Sequence, residues 1–322
     1  MGIILLIARV PFCRPKRDMA QFHFREKFKM VTKPDDYLKL WWDYMGPDER
    51  KIVRTHTGHL PLLIEMDAWP EMIHVLMIFW DDQNMVFHFE DVELTPTIEE
   101  VLICYESIEM CFKRKEKPNK NILVPAVWDR QTIKEAFLTD DDIWLGKHDG
   151  ANITFRELYR RFGIFNAFHK FGHKFESEAK WKEMRDFAFA VGLLGTMVFP
   201  QGENGTIHPR VVTVAHALFF GVDYDSTKVF HNLAPMIVAN IYRALGRCQV
   251  KNHFFQGCNL ILQWWMMKHL VKDSRTVQPD HKTRVDMLTS HDMWLFLHRF
   301  KRKASHEFWF KTFEELRDDD VQ

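Results

Sequence analysis

No excess of either charge is present: 44 Lys and Arg meet 44 Asp and Glu in 322 residues. No net field therefore draws the chain to phosphate backbones, and nucleic-acid binding would need a local patch. Cysteine is scarce. Cys13, Cys104, Cys111, Cys248 and Cys258 are odd in number, irregularly spaced and without a CxxC pair, which excludes a disulfide framework and fits reduced thiols in the cytosol or nucleus. The most continuous charge-free apolar stretch, Phe187 to Pro200, falls short of the ~20 residues a bilayer crossing needs. Secretory and lipid signals are missing too: Arg9, Arg14, Lys16 and Arg17 lie within or after the apolar start rather than before it, and Leu6 stands where myristoylation wants Ser or Thr. Gly202-Glu-Asn-Gly205 lacks the Lys-Ser/Thr of a phosphate loop and the third glycine of a dinucleotide fingerprint, and no Gly-x-Ser-x-Gly elbow occurs.

What is abundant is aromatic: 28 Phe and 11 Trp, rings that dominate cores and interfaces and favour helical packing over a small-residue α/β sheet. The expected fold is mainly α, a multi-helix bundle with one small β-hairpin near residues 85–94. Residues 1–33 read as a poorly specified leader and 34–322 as one helical domain. Asp36 to Met45 predicts a short, largely buried helix stopped by Gly46 and Pro47, and Asp67 to Trp80 a second with Pro70 in its first turn. Met85 to Leu94 alternates as a strand, with a turn at Glu90-Asp91.

Helix starts follow at Thr95-Pro96 or as a Thr97/Glu100 capping box, at Thr132 with Glu135, and at Thr154 with Glu157, the last carrying Leu158, Phe162, Phe165 and Phe168 on one face. Trp181, Met184, Ala188, Val191 and Gly195 continue the helical spacing, and Pro200 to Pro209 is the clearest internal loop. Val211 to Gly221 reads as buried, and Ala234-Pro235 opens a helix to Gly246. Cys258 to Leu270 is apolar nearly all round and is expected at the bundle's centre, with Trp264 or Trp265 nearly fully buried.

Candidate chemistry is thin. His169 and His173, or His56 and His59, have spacings that let two imidazoles share one helix face, but Gly172 and Gly58 interrupt them, and ordinary surface or core histidines are expected, with no metal. Asp140, Asp141 and Asp142 point in different directions on any regular element, and Asp318 to Asp320 read as a solvated tail. Glu90, Asp91, Glu93, Glu99 and Glu100 crowd the hairpin, yet no His or Lys is placed by sequence to work with them, so no catalytic residue and no cofactor are assigned. Asn259 and Gln263, one turn apart on the apolar helix, are expected to bond neighbouring backbone. Two basic clusters, Lys113, Arg114, Lys115, Lys117 and Lys120, and Arg299, Lys301, Arg302 and Lys303, are candidates for nuclear import or phosphate contact.

Four stretches, in this order, carry a resemblance. They are Gly58-His-Leu-Pro-Leu62 with Phe79-Trp-Asp81, Phe87-His-Phe-Glu-Asp-Val-Glu-Leu-Thr-Pro-Thr-Ile-Glu-Glu100, and Val198-Phe-Pro200 ahead of Gly205, Ile207, Val211 and Val212. The last comprises Leu233-Ala-Pro235, Tyr242-Arg-Ala-Leu245, Phe255 to Trp264 and His269-Leu270. Together they resemble the plant mobile domain family and the related uncharacterised plant domain. That resemblance implies a helical domain without established catalytic residues, found in transposon-encoded proteins and in nuclear host proteins linked to transposon silencing and gene regulation. The expected function is a non-catalytic nuclear interaction domain with a protein partner. A transposon-derived nucleic-acid-binding protein is the alternative, an enzyme the third reading, and a cytoplasmic location the alternative to a nuclear one. The family pattern does not cover the segment before Pro34, and relatives continue beyond Asp320-Val-Gln322, which reads as a C-terminal truncation.

Overall fold

A computed structural model describes residues 28–90, 92–105, 128–137, 153–203, 205–220, 233–248, 254–270 and 304–317. The architecture is mainly α. In chain order come helices α1 (Asp36–Tyr44) and α2 (Pro47–Thr57), a 3-10 turn (Leu60–Glu65) and α3 (Pro70–Leu76). Strands β1 (Trp80–Asp81), β2 (Val86–His88) and β3 (Glu93–Leu94) lead into α4 (Ile98–Tyr105) and, further on, α5 (Arg130–Ala136). Strand β4 (Ile153–Thr154) precedes α6 (Phe155–Leu158), a π turn (Tyr159–Gly163), α7 (Ala167–Phe171) and a 3-10 turn (Gly172–Lys174). The long α8 (Glu178–Leu193) ends in a second π turn (Leu194–Val198), followed by β5 (Thr206–Ile207), α9 (Pro209–Phe220), α10 (Ala234–Cys248), α11 (Asn259–Leu270) and α12 (His306–Glu314).

The expected hairpin is present and is larger than its two strands. β2 pairs antiparallel with β3, and β1 adds a third strand through Trp80 opposite Phe87. Trp80 is free to do so because the helix expected over 67–80 is shorter: Pro70 opens α3 with no N–H to lose, and the chain leaves the helix after Leu76. Val86 and Phe87 are both buried, so the alternation read at 85–94 is not kept; Met85, at φ 55°, is the exposed turn residue. A second pair joins β4 to β5, and β5 lies inside the expected loop 200–209.

Helix starts follow side-chain caps. Asp35 and Ser177 accept from the backbone N–H two or three residues on, opening α1 and α8. The start expected at Thr132 moves to Asp129, whose carboxylate accepts from the Thr132 N–H at 2.8 Å. Gly246 lies inside α10 rather than at its end.

Two aromatic nests make the core. Trp41 stacks on Phe155 and meets Phe189 edge-on at 5.5 Å, joining α1, α6 and α8. Phe79, Phe89 and Phe313 gather at 5.2–5.8 Å, and Trp69 stacks on Trp309, so α12 is sewn to α3 by rings. α11 runs through the middle as expected, with Trp265 fully and Trp264 nearly fully buried. Among the described residues, the Phe28 ring meets Phe255 at 6.0 Å and Met30 is buried, six and four residues before Pro34.

Candidate functional site

The capping box at Thr97 and Glu100 forms as its spacing predicts: the Glu100 N–H donates to Thr97 Oγ1 at 3.2 Å and the Thr97 N–H to Glu100 Oε2 at 3.0 Å. The same carboxylate also receives α11. Trp265 Nε1–H donates to Oε2 at 3.1 Å and His269 Nε2 lies 3.0 Å from Oε1, the two rings being one helical turn apart. Next to it, the Tyr242 hydroxyl of α10 donates to the Pro96 carbonyl at 2.8 Å and lies 2.7 Å from Thr95 Oγ1. Burial works to raise the Glu100 pKa, but the hydrogen bonds from His269 and Thr97 outweigh it and hold the carboxyl down at about 2. Such a group neither gives nor takes protons near neutrality. Its chemistry here is to stay ionised and fasten α4 to α11.

The five carboxylates noted in the sequence therefore do not form one centre. Glu93 takes His88 at 2.9 Å on the surface, Glu100 takes His269, Glu90 and Glu99 are exposed, and Asp91 lies outside the described residues. The missed partner was His269. Its signal was the Trp265/His269 spacing at i, i+4 on a helix that otherwise has no polar face.

His169 and His173 are exposed and sit on different elements, α7 and the 3-10 turn after it. His56 ends α2, bonds the Leu218 carbonyl at 2.8 Å and stacks on Phe219 at 4.1 Å, and burial lowers its pKa. Among the described residues no group of three or more His, Cys, Asp or Glu is arranged to hold a metal. Asn259 and Gln263 do what was expected of them: Asn259 donates to the Val31 carbonyl at 2.8 Å, and Gln263 accepts from the Trp69 N–H at 2.6 Å and donates to the Asp67 carbonyl at 3.2 Å. Lys113, Arg114, Lys115, Lys117 and Lys120, Arg299, Lys301, Arg302 and Lys303, together with Asp140 to Asp142 and Asp318 to Asp320, lie outside the described residues.

A different surface stands out. The π turn ends at Gly163, where a Cβ would lie 2.8 Å from the Trp41 ring, and Ile164 is extended, so Phe165 does not continue the face of Leu158 and Phe162. Instead of sharing the face expected for it, Phe165 is 89% exposed. It meets Tyr44 edge-on at 6.3 Å, while Tyr37 lies 4.8 Å from Tyr159. Tyr37, Leu40 and Tyr44 line one stripe of α1 and are 40%, 40% and 50% exposed. Burial and the nearness of Tyr44 and Tyr37 push the Tyr159 phenol up. Two rows of rings thus form a ledge, rimmed by Arg156, whose guanidinium lies 5.8 Å from the Tyr37 ring centre.

A family model described as Domain of unknown function (DUF7745) matches residues 38–322. No curated protein and no solved structure matches the chain.

Proposed function

Because the chain belongs to the DUF7745 family, whose description carries no activity, we propose from the geometry that it is a non-catalytic protein-interaction domain acting in the nucleus. The carrying observation is the aromatic ledge of Tyr37, Leu40, Tyr44 and Phe165. Burying such rings is what drives association, and monomeric proteins rarely leave several large apolar side chains adjacent on one face. The Glu100 hub supports the non-catalytic part of the reading, since its acceptors are occupied and its charge is fixed. The nuclear setting and a transposon-related origin rest on the resemblance to the plant mobile domain.

Affinity purification from plant nuclei, with the wild type beside a Tyr44→Ala/Phe165→Ala variant, tests this. Reproducible partners that the variant loses, with its thermal midpoint unchanged, are the expected result. An identical set of proteins on both, or none on either, removes the proposal.

A further inference from the structure

Resting on the interaction reading above, we propose that the ledge takes an extended, proline-rich segment with an acidic residue at its Tyr37 end. Three features select this occupant. The first is spacing. Tyr37 and Tyr44 stand seven residues apart on α1, about 10 Å along the axis at helical rise, and a polyproline II strand repeats every three residues, about 9 Å. Prolines at successive turns of the ligand therefore face successive tyrosines, the mode by which aromatic-lined surfaces hold such segments.

The second feature is the hydroxyls. Those of Tyr37, Tyr44 and Tyr159 make no hydrogen bond to the protein among the described residues, although the three phenols are neighbours. A polyproline II strand has no internal hydrogen bonds, so its carbonyls are open to these donors. A docked α-helix has its carbonyls already engaged along its length and would leave the phenols with nothing but side chains to address.

The third feature is charge. Lys33 pairs with Asp36 at 3.4 Å, Lys39 with Glu65 at 3.6 Å and Arg160 with Glu157 at 2.8 Å, so the cations around the ledge are neutralised one by one. The Asp43 carboxylate, beside Tyr44, makes no ion pair among the described residues, and the Arg50 guanidinium donates to the Asp43 backbone carbonyl at 3.1 Å. A nucleic-acid strand would find rings to stack on but no run of free cations for its phosphates. Arg156 is the exception: exposed, without a carboxylate partner among the described residues, and poised over Tyr37. Arg156 at the Tyr37 end gives the bound segment a direction.

The probe is a fluorescein-labelled proline-rich peptide with glutamates at one end, titrated by anisotropy against the full chain. Expected are saturable binding, a loss of tenfold or more in Tyr37→Ala or Tyr44→Ala, and, in Arg156→Glu, a switch of preference to the same peptide carrying lysines in place of the glutamates. All three positions are exposed, and unchanged thermal midpoints establish that the variants fold. No binding by the wild type, or binding that ignores these substitutions, overturns the proposal. So does a ledge-dependent affinity for a thymidine oligonucleotide alone, or a concentration-dependent dimer that Tyr44→Ala dissolves. A photo-crosslinking residue at Phe165, used in nuclear extract, separates the two levels of argument. Crosslinks to a protein when proline peptides do not bind leave the interaction reading standing and remove this occupant. Absence of any crosslink removes both.

Discussion

Asp186 offers a quantitative test of the packing. It sits on α8 with 2% of its surface exposed, and its Oδ1 is buried without a hydrogen-bond partner. Burial first, and repulsion from Glu49 on α2 second, push its pKa from 3.8 up to about 7; Arg185 and Lys182, on its own helix, oppose this too weakly. The reason is visible in the geometry: Arg185 gives one arm to Glu49 at 2.8 Å and another to the Phe162 carbonyl at 3.1 Å. Between pH 3.8 and about 7 the folded protein keeps a proton that the unfolded chain has released, so stability falls as pH rises through that window and levels off above it. Three pH units correspond to about 4 kcal/mol.

Asp186→Asn preserves the shape and cannot ionise. Urea titrations of both proteins at about pH 5, 6, 7 and 8 should show the variant gaining on the wild type by about 3 kcal/mol, nearly all of it between pH 5 and 7, or roughly 6 °C in thermal midpoint. Other groups shifted by burial, such as His56 and His216, whose pKa values are lowered, cancel in the difference. A difference that stays constant with pH refutes the reasoning.

Glu100→Gln should cost about 2 to 3 kcal/mol at neutral pH by urea titration, because the charge-assisted bonds to Trp265 and His269 weaken. The wild type alone should then lose that advantage as pH falls from about 4.5 towards 2, the window between the unfolded and the depressed folded pKa. Gln263→Leu leaves the Trp69 N–H and the Asp67 carbonyl without their partner, a loss of about 2 to 5 kcal/mol, checked by faster hydrogen exchange at the Trp69 amide. Gly195→Ala places a Cβ 2.6 Å from Ile207 and should cost about 1 to 3 kcal/mol in thermal melts, with a smaller penalty in an Ile207→Ala background.

Local chemistry was readable from the sequence because it is settled within a turn. The Thr97/Glu100 box, the Pro70 and Ala234-Pro235 starts and the all-apolar α11 each depend on residues three or four apart, and each forms. Boundaries moved where a nearby competitor was stronger. Asp129 outbids Thr132 as a cap because a carboxylate takes both the Thr132 N–H and its hydroxyl at 2.8 Å. Asn259 and Gln263 were legible for a different reason: polar side chains on a helix with no polar face must find backbone, and α11 passes Val31, Asp67 and Trp69.

The ledge was not legible, and Gly163 explains why. Spacing alone carries the Leu158 face on through Phe162 to Phe165, and nothing in those residues forbids it. The chain is crowded at Gly163, where a Cβ would lie 2.3 Å from the Tyr159 ring of the same turn and 2.8 Å from the Trp41 ring of α1, and it turns out at Ile164 with Phe165 beyond it. The same approach puts Tyr159 beside Tyr37 and Phe165 beside Tyr44. Crowding at Gly163, by Tyr159 within the turn and by Trp41 from a segment more than a hundred residues away, therefore goes with both the broken helix and the exposed rings. Gly163→Ala should accordingly do more than overpack the Trp41 site: by pushing α1 from the π turn it should separate the two rows of the ledge. Weaker proline-peptide binding in a variant that still melts cooperatively would show that coupling, and unchanged binding would sever it.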